Sequence, residues 1–449
     1  MSIGADRRVT LAAMQREAQA LYAAGRLAAA LTVCGDMIAL APGNPRLLAF
    51  AGLVAMRLGR RDEALRHFRA QKAALGRQGA DPKTHLQLGL SLAEVGAFED
   101  AIEVLNAGVR IAPGVVALHA GLAEVHEKAG NLDAAEASCR SALGIDPDNA
   151  DALATLAVVL QRAGRGSEAV AVYRRAIAAR PDWGFLYANL CALLLEQGAG
   201  HEVVGVADAW LAADPGHVEA LSFKAHALRE TGDEAGARHL LDFDRFLRTH
   251  PVTVPAGYPD LAAFNDALEA HVLAHPTLAT PPEDHPTWHH PRLQITEELL
   301  TGDMGPVADL QRLMNQAVRD YLNALPPDPA HPFFATRPRR WRLSAWGAVL
   351  NGAGNQQAHI HKDGYLSGVY YLRIPEEISS GSEDGLIAGG FEVGRPPDEL
   401  RFGAEPVTRA VRPYEGLMLL FPAYMYHRTI PFESRQKRIC IAFDVVRVD

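Results

Sequence analysis

The chain has 449 residues, 48% apolar and 22% charged, with a formal net charge of −9; this is ordinary for a globular protein long enough for two or three cores. The acidic balance argues against a nucleic-acid partner, and no run of roughly 18 apolar residues is present to cross a membrane. Cys34, Cys139, Cys191 and Cys440 lie far apart, which fits buried thiols in a reducing compartment and not a disulfide framework or zinc site, so with no apolar leader the expected location is cytoplasmic.

The first half is periodic. Gly25 and Gly59 are 34 residues apart, and Gly96, Gly130, Gly164, Gly198 and Gly232 follow at the same step after one longer interval. A small residue stands five after each glycine (Ala30, Ala64, Ala101, Ala135, Ala169, Val203, Ala237). Another stands seven before it (Ala18, Gly52, Gly89, Ala123, Ala157, Cys191, Ala225). Prolines close the units at Pro42, Pro113, Pro147, Pro181 and Pro215. The spacing predicts two antiparallel helices per unit, with the glycine at the turn and the small residues where the helices approach closely. Leu88, Leu122, Leu156 and Leu190 are expected to fill the interface. No unit buries its apolar face alone, so the stack is the fold.

This pattern resembles the tetratricopeptide repeat over about residues 11–248, in seven copies. Residues 76–82, GRQGADP, read as a small insertion in one inter-repeat loop. The resemblance implies a protein or peptide partner on the concave face. The solenoid domain is expected to span 1–248.

Residues 249–295 change character and read as a linker. His285, His289 and His290 lie within it, and a proline-rich loop is preferred there to a metal site. Within 296–325, Val307, Leu310, Leu313, Met314, Ala317, Val318 and Tyr321 form one helical stripe, expected to pack on a following sheet. Arg337, Arg339, Arg340 and Arg342 read as a solvated lead-in to a strand.

After Pro338 the period shifts toward two in WRLSAWGAVL, AHIH, LSGVYYLRI, AGGFEV, GLMLLF and RICIAFDVV. These predict an antiparallel β domain of roughly seven or eight strands. His359-Ile360-His361 would put two imidazoles on one strand face, able to meet at one metal while Ile360 points to the core. His427, after the strand GLMLLF, is placed to bring a third ligand from a distant strand. Arg438, opening the last strand, suits a bidentate clamp on a carboxylate.

Residues about 340–446 resemble the 2-oxoglutarate-Fe(II) oxygenases of the double-stranded β-helix (jelly-roll) fold, in HIHKDGYLSGVYYL, GGFEVGRPP, EGLMLLFPAYMYH and RICIAFD. The expected fold class is thus multidomain α + β, with the β domain and its preceding helix at 296–449. The resemblance implies that His359, His361 and His427 hold Fe(II), and that Arg438 grips the distal carboxylate of 2-oxoglutarate, with Tyr371 adding a hydroxyl. It also implies O2 as co-substrate and a hydroxylase that needs no catalytic residue beyond the metal ligands.

The wider superfamily uses two histidines and a carboxylate. Two ligand sets therefore stand side by side: His359, His361 and His427, which is preferred, or His361, Asp363 and His427 with His359 outside the metal's shell. Asp444 stands where an asparagine is expected, and it shares strand parity with Arg438, with which it is able to pair. Three other functions compete with hydroxylation of a protein or peptide recruited by the repeats. They are hydroxylation of a small molecule with the repeats recruiting a partner, a cupin-type dioxygenase, and an inactive repeat protein used only for interaction.

Overall fold

The computed structural model describes residues 2–78, 81–281, 292–326, 328–352, 354–380 and 387–448. His285, His289 and His290 lie outside them. The chain divides into two compact units, Met1–Leu186 and Tyr187–Asp449.

The first fourteen helices are α1 (Ser2–Ala23), α2 (Leu27–Leu40), α3 (Pro45–Arg57), α4 (Arg61–Gln78), α5 (Pro82–Glu94), α6 (Phe98–Ile111), α7 (Val116–Lys128), α8 (Leu132–Ile145), α9 (Ala150–Arg162), α10 (Gly166–Ala179), α11 (Gly184–Glu196), α12 (Gly200–Ala213), α13 (Val218–Glu230) and α14 (Glu234–Leu240). They form the expected pairs of a tetratricopeptide solenoid. Each turn glycine has a φ between 71° and 80°, a region where only glycine sits without strain. The small residues mark close contact: Ala18, Ala30, Ala123 and Ala135 are fully buried. A Cβ on Gly52 would run into the Phe68 ring, and one on Gly89 into Leu105.

The insertion at 76–82 is not simply a longer loop. Helix α4 has 18 residues where α2 and α6 have 14, so much of the extra chain lengthens a helix.

The second unit holds α12 to α14 and the short helix α15 (Phe243–Phe246) together with the β domain. Its strands are β1 (Arg248–His250), β2 (Leu293–Ile295), β3 (Trp341–Asn351), β4 (Gly354–His359), β5 (Leu366–Arg373), β6 (Phe391–Val393), β7 (Arg409–Val411), β8 (Met418–Pro422), β9 (His427–Phe432) and β10 (Lys437–Arg447). They build two antiparallel sheets, ordered β1-β8-β5-β10-β3-β2 and β4-β9-β6-β7. The central strands read as continuous apolar runs: every residue of β5 is buried except the last. Among the described residues no helix is long and apolar enough to cross a membrane.

The stretch expected to be a linker is structured in part. It contains α16 (Leu261–Leu273), capped by the Asp260 side chain on Ala263 N–H, and the short edge strands β1 and β2. Phe264, Leu268 and Val272 of α16 are fully buried, and Tyr370 of β5 donates to Asn265 at 2.7 Å. Apolar spacing within α16 outweighed the proline-rich flanks. Helix α17 (Val307–Ala324) buries the expected stripe, although Leu313 is only half-buried. Arg337 is not a free lead-in: its guanidinium donates to the Leu322 and Leu325 carbonyls at the end of α17.

The last repeats share one hydrophobic core with the β domain. Leu221, Leu228, Leu240 and Phe246 belong to the same cluster as Phe421, Phe443 and Val445. Tyr424 donates to the Leu240 carbonyl at 2.6 Å, Lys362 pairs with Glu219 at 2.7 Å, and β1 closes the edge beside β8. The repeat pattern runs past the division between compact units, because periodicity records helix pairing and not which core a helix joins.

Candidate metal and dicarboxylate site

Strands β4 and β9 run antiparallel with His359 directly opposite His427. Cross-strand partners lie within contact, and the two ring centroids are 4.3 Å apart. His361 is not on the strand, which ends at His359. It stands in the following turn, held by its N–H on the Ala423 carbonyl at 3.3 Å. Its ring still stacks beside that of His359, with centroids 5.1 Å apart, while Ile360 packs toward the core. One ligand atom from each of the three histidines lies within 4.8 Å of the others.

Hydrogen bonds fix how the rings present themselves. The Nδ1 of His359 lies 2.7 Å from the Gln357 carbonyl, and that of His427 lies 3.1 Å from the Met425 carbonyl. The Nδ1 of His361 lies 2.6 Å from Asp444 Oδ1. A carbonyl or carboxylate only accepts, so each Nδ1 donates and each Nε2 keeps a lone pair. The Nε2 of His361 is buried with no partner. Burial, with His361 beside it, pushes His359 down to about 3. Burial, with His359 and His361 beside it, also holds His427 well below the ordinary range. Neutral imidazoles with free lone pairs are what a divalent metal requires. Phe421, Phe391 and Trp346 pack around the rings and keep the setting apolar.

Asp363 is exposed on the turn, and the cluster of potential metal-ligating groups does not include it. Asp444 serves His361 and Ser367, whose Oγ donates to it at 2.8 Å. It does not reach Arg438. Their shared parity puts them on one face, but six residues of extended strand separate them by roughly 20 Å.

Arg438 lies on the wall of the same pocket and is buried, with 2% exposure. Its Nη2 donates weakly to Tyr371 Oη at 3.4 Å, its Nε has no partner, and no carboxylate pairs with it among the described residues. A buried guanidinium without an acid is strongly unfavourable unless an anion arrives. Burial pushes the Tyr371 hydroxyl up, so it keeps its proton, and accepting from Arg438 leaves that proton free to donate. Three converging imidazoles and an acid-free guanidinium therefore share one pocket.

Sequence reasoning missed two groups. Ser367 sits directly opposite Asp444 in the β5–β10 register. Glu392 is buried on β6, where it accepts from Arg428 at 2.5 Å and Arg395 at 3.1 Å. Strand pairing brings Ser367 to Asp444 and Arg428 to Glu392, so no local motif announces those contacts.

Residues 344–444 match the family described as Putative 2OG-Fe(II) oxygenase. Residues 51–116 and 86–150 match one tetratricopeptide-repeat family, and 128–194 match another. No curated protein matches the chain. Among solved structures, a tetratricopeptide-repeat protein from Parabacteroides merdae is 16% identical, covering 52% of this chain and 91% of that one at a TM-score of 0.40. A thermophilic repeat protein from Thermus thermophilus is 26% identical, covering 41% and 99% at 0.31. YrrB, titled a repeat protein with an unusual peptide-binding site, is 21% identical, covering 38% and 85% at 0.31.

Proposed function

We propose, from the premise that this chain joins tetratricopeptide repeats to a domain of the 2OG-Fe(II) oxygenase family, that it hydroxylates a protein or peptide substrate recruited by the repeats. His359, His361 and His427 would hold Fe(II). Arg438 and Tyr371 would hold the distal carboxylate of 2-oxoglutarate. The observation that carries the reading is the buried, acid-free guanidinium of Arg438 in the same pocket as three imidazoles with anchored Nδ1 atoms.

Fe(II) with 2-oxoglutarate and O2 supplies the oxidation, in which the co-substrate loses CO2 to become succinate and the substrate carbon gains hydroxyl. The chain's own residues position and shield. Arg438 neutralises the incoming carboxylate, and Tyr371 donates its hydroxyl proton to the same group. Phe391 and Phe421 shield the buried His427 ring and Trp346 flanks His361, which strengthens charged interactions there. The absence of a required acid–base pair fits this chemistry.

The substrate class rests on the first unit. An open groove of about 550 Å³ is walled by Leu86 and Leu90 of α5, Gly121 of α7, Val158 of α9 and Trp183. That size lies within the range of ligand clefts, roughly 300–1,000 Å³. Its wall comes chiefly from the first helix of successive pairs, which suits an extended peptide laid across repeats.

Anaerobic calorimetry tests the site. 2-Oxoglutarate should bind the Fe(II)-loaded chain, His427→Ala should abolish iron binding, and Arg438→Ala should weaken 2-oxoglutarate by about 2 kcal/mol or more, as for other buried charge pairs. Full 2-oxoglutarate affinity in Arg438→Ala would refute the assignment of that residue. Succinate release with a cell extract as substrate source tests turnover.

A further inference from the structure

Three neutral imidazoles leave the full charge of a divalent ion uncompensated, whereas a site with two histidines and a carboxylate neutralises half of it. A carboxylate stands one residue behind the imidazoles, against His361. Asp444 Oδ1 lies 2.6 Å from His361 Nδ1, a length typical of a charge-assisted bond, and Ser367 Oγ holds the same oxygen at 2.8 Å. The Asp444 side chain is only 16% exposed, and no lysine or arginine pairs with it among the described residues. Its charge is therefore directed at the imidazole. On the far side of that ring, Nε2 is buried and without a partner.

We propose that Asp444 is a positioning residue that returns to the imidazole set the negative charge its ligands lack, acting through His361. The inference rests on the three-histidine reading above. The hydrogen bond fixes the tautomer that keeps the Nε2 lone pair toward the metal, and the carboxylate raises the basicity of that lone pair. Orientation and charge are separable, because asparagine keeps an oxygen that accepts from both Nδ1 and Ser367 Oγ while removing the charge. Leucine removes both.

The test is Co(II) binding to the full chain, followed by its visible absorption, in the native protein and in Asp444→Asn and Asp444→Leu, with circular dichroism to confirm folding. The native chain should bind, with a spectrum that His427→Ala removes. Asp444→Asn should bind about 10- to 100-fold more weakly with the same band pattern, since outer partners of ligating histidines usually matter on that scale. Asp444→Leu should be at least as weak. Native affinity in Asp444→Asn alongside weak binding in Asp444→Leu overturns the charge role and leaves orientation alone. Native affinity in both overturns any role for Asp444. A native chain that binds no Co(II) fails differently: it overturns the three-histidine site and this inference with it.

Discussion

The repeats and the β domain are built on opposite principles of contact. In the first unit helices meet their neighbours along the chain, and a glycine-to-glycine step of 34 residues, lengthened once, describes the turns within the pairs. In the second, β10 pairs with both β3 and β5, and His361 meets Asp444 across 83 residues. Local contact makes a fold readable and its damage local; non-local contact hides partners and makes damage global.

The largest test of this contrast is where the chain tolerates a cut. Removing 1–186 should leave a cooperatively folding unit, while removing 1–248 takes away Leu221, Leu240 and Phe246 from the core of the β domain and the first residue of strand β1 from its edge. Thermal unfolding by circular dichroism compares the two. If 249–449 melts as sharply and as high as 187–449, the last repeats are not part of that core.

Acid is the next probe. Burial holds His226 down to about 3 and His331, also facing His239, down to about 4; both lie in the second unit. Unfolding releases each toward an ordinary value of about 6.5. The unfolded chain then binds more protons, so stability is unaffected well above pH ~6.5 and falls as pH drops below it, until the folded values are reached. By pH 5 the loss is roughly 2 kcal/mol for each group. Urea unfolding at pH 7.5 and pH 5, read separately for each unit, should show the second weakening; equal weakening of both would break the contrast.

A pair of glycines sharpens it at the smallest scale. Gly52 in α3 and Gly368 in β5 each press against a buried phenylalanine ring, Phe68 and Phe443. Alanine at Gly368 should destabilise by about 1–3 kcal/mol through overpacking against Phe443, and because its neighbours Ser367 and Val369 line the pocket, the shift it forces in β5 should also weaken 2-oxoglutarate binding. Alanine at Gly52 meets a similar clash, but a helix interior returns roughly 1 kcal/mol to alanine, and 2-oxoglutarate binding should not change. Calorimetry and urea midpoints on the two variants decide it.

The same contrast sets what was legible. The solenoid could be read from seven glycines because its period is local. His359, His361, His427 and Arg438 could be picked out because they sit in motif-bearing stretches, and the structure gathers them in one pocket. Asp444 was noticed, but its partner was not. Strand parity states which face a side chain takes and says nothing of which neighbouring segment folds over it. Helix α16 was hidden by the prolines around it, and although Arg395 stands three residues from Glu392, the contact with Arg428 depends on a strand pairing that no window of sequence contains.

Strand β10 carries Arg438 near its start and Asp444 near its end, and it lies between β3 and β5 in the larger sheet. A ribosome making this protein must therefore extend the nascent polypeptide through Asp444 before that strand can slot between neighbours already made. Until then the emerging chain displays histidines with no outer carboxylate and a sheet with its middle missing. Premature termination anywhere before Lys437 yields a β domain without the strand that carries both Arg438 and Asp444.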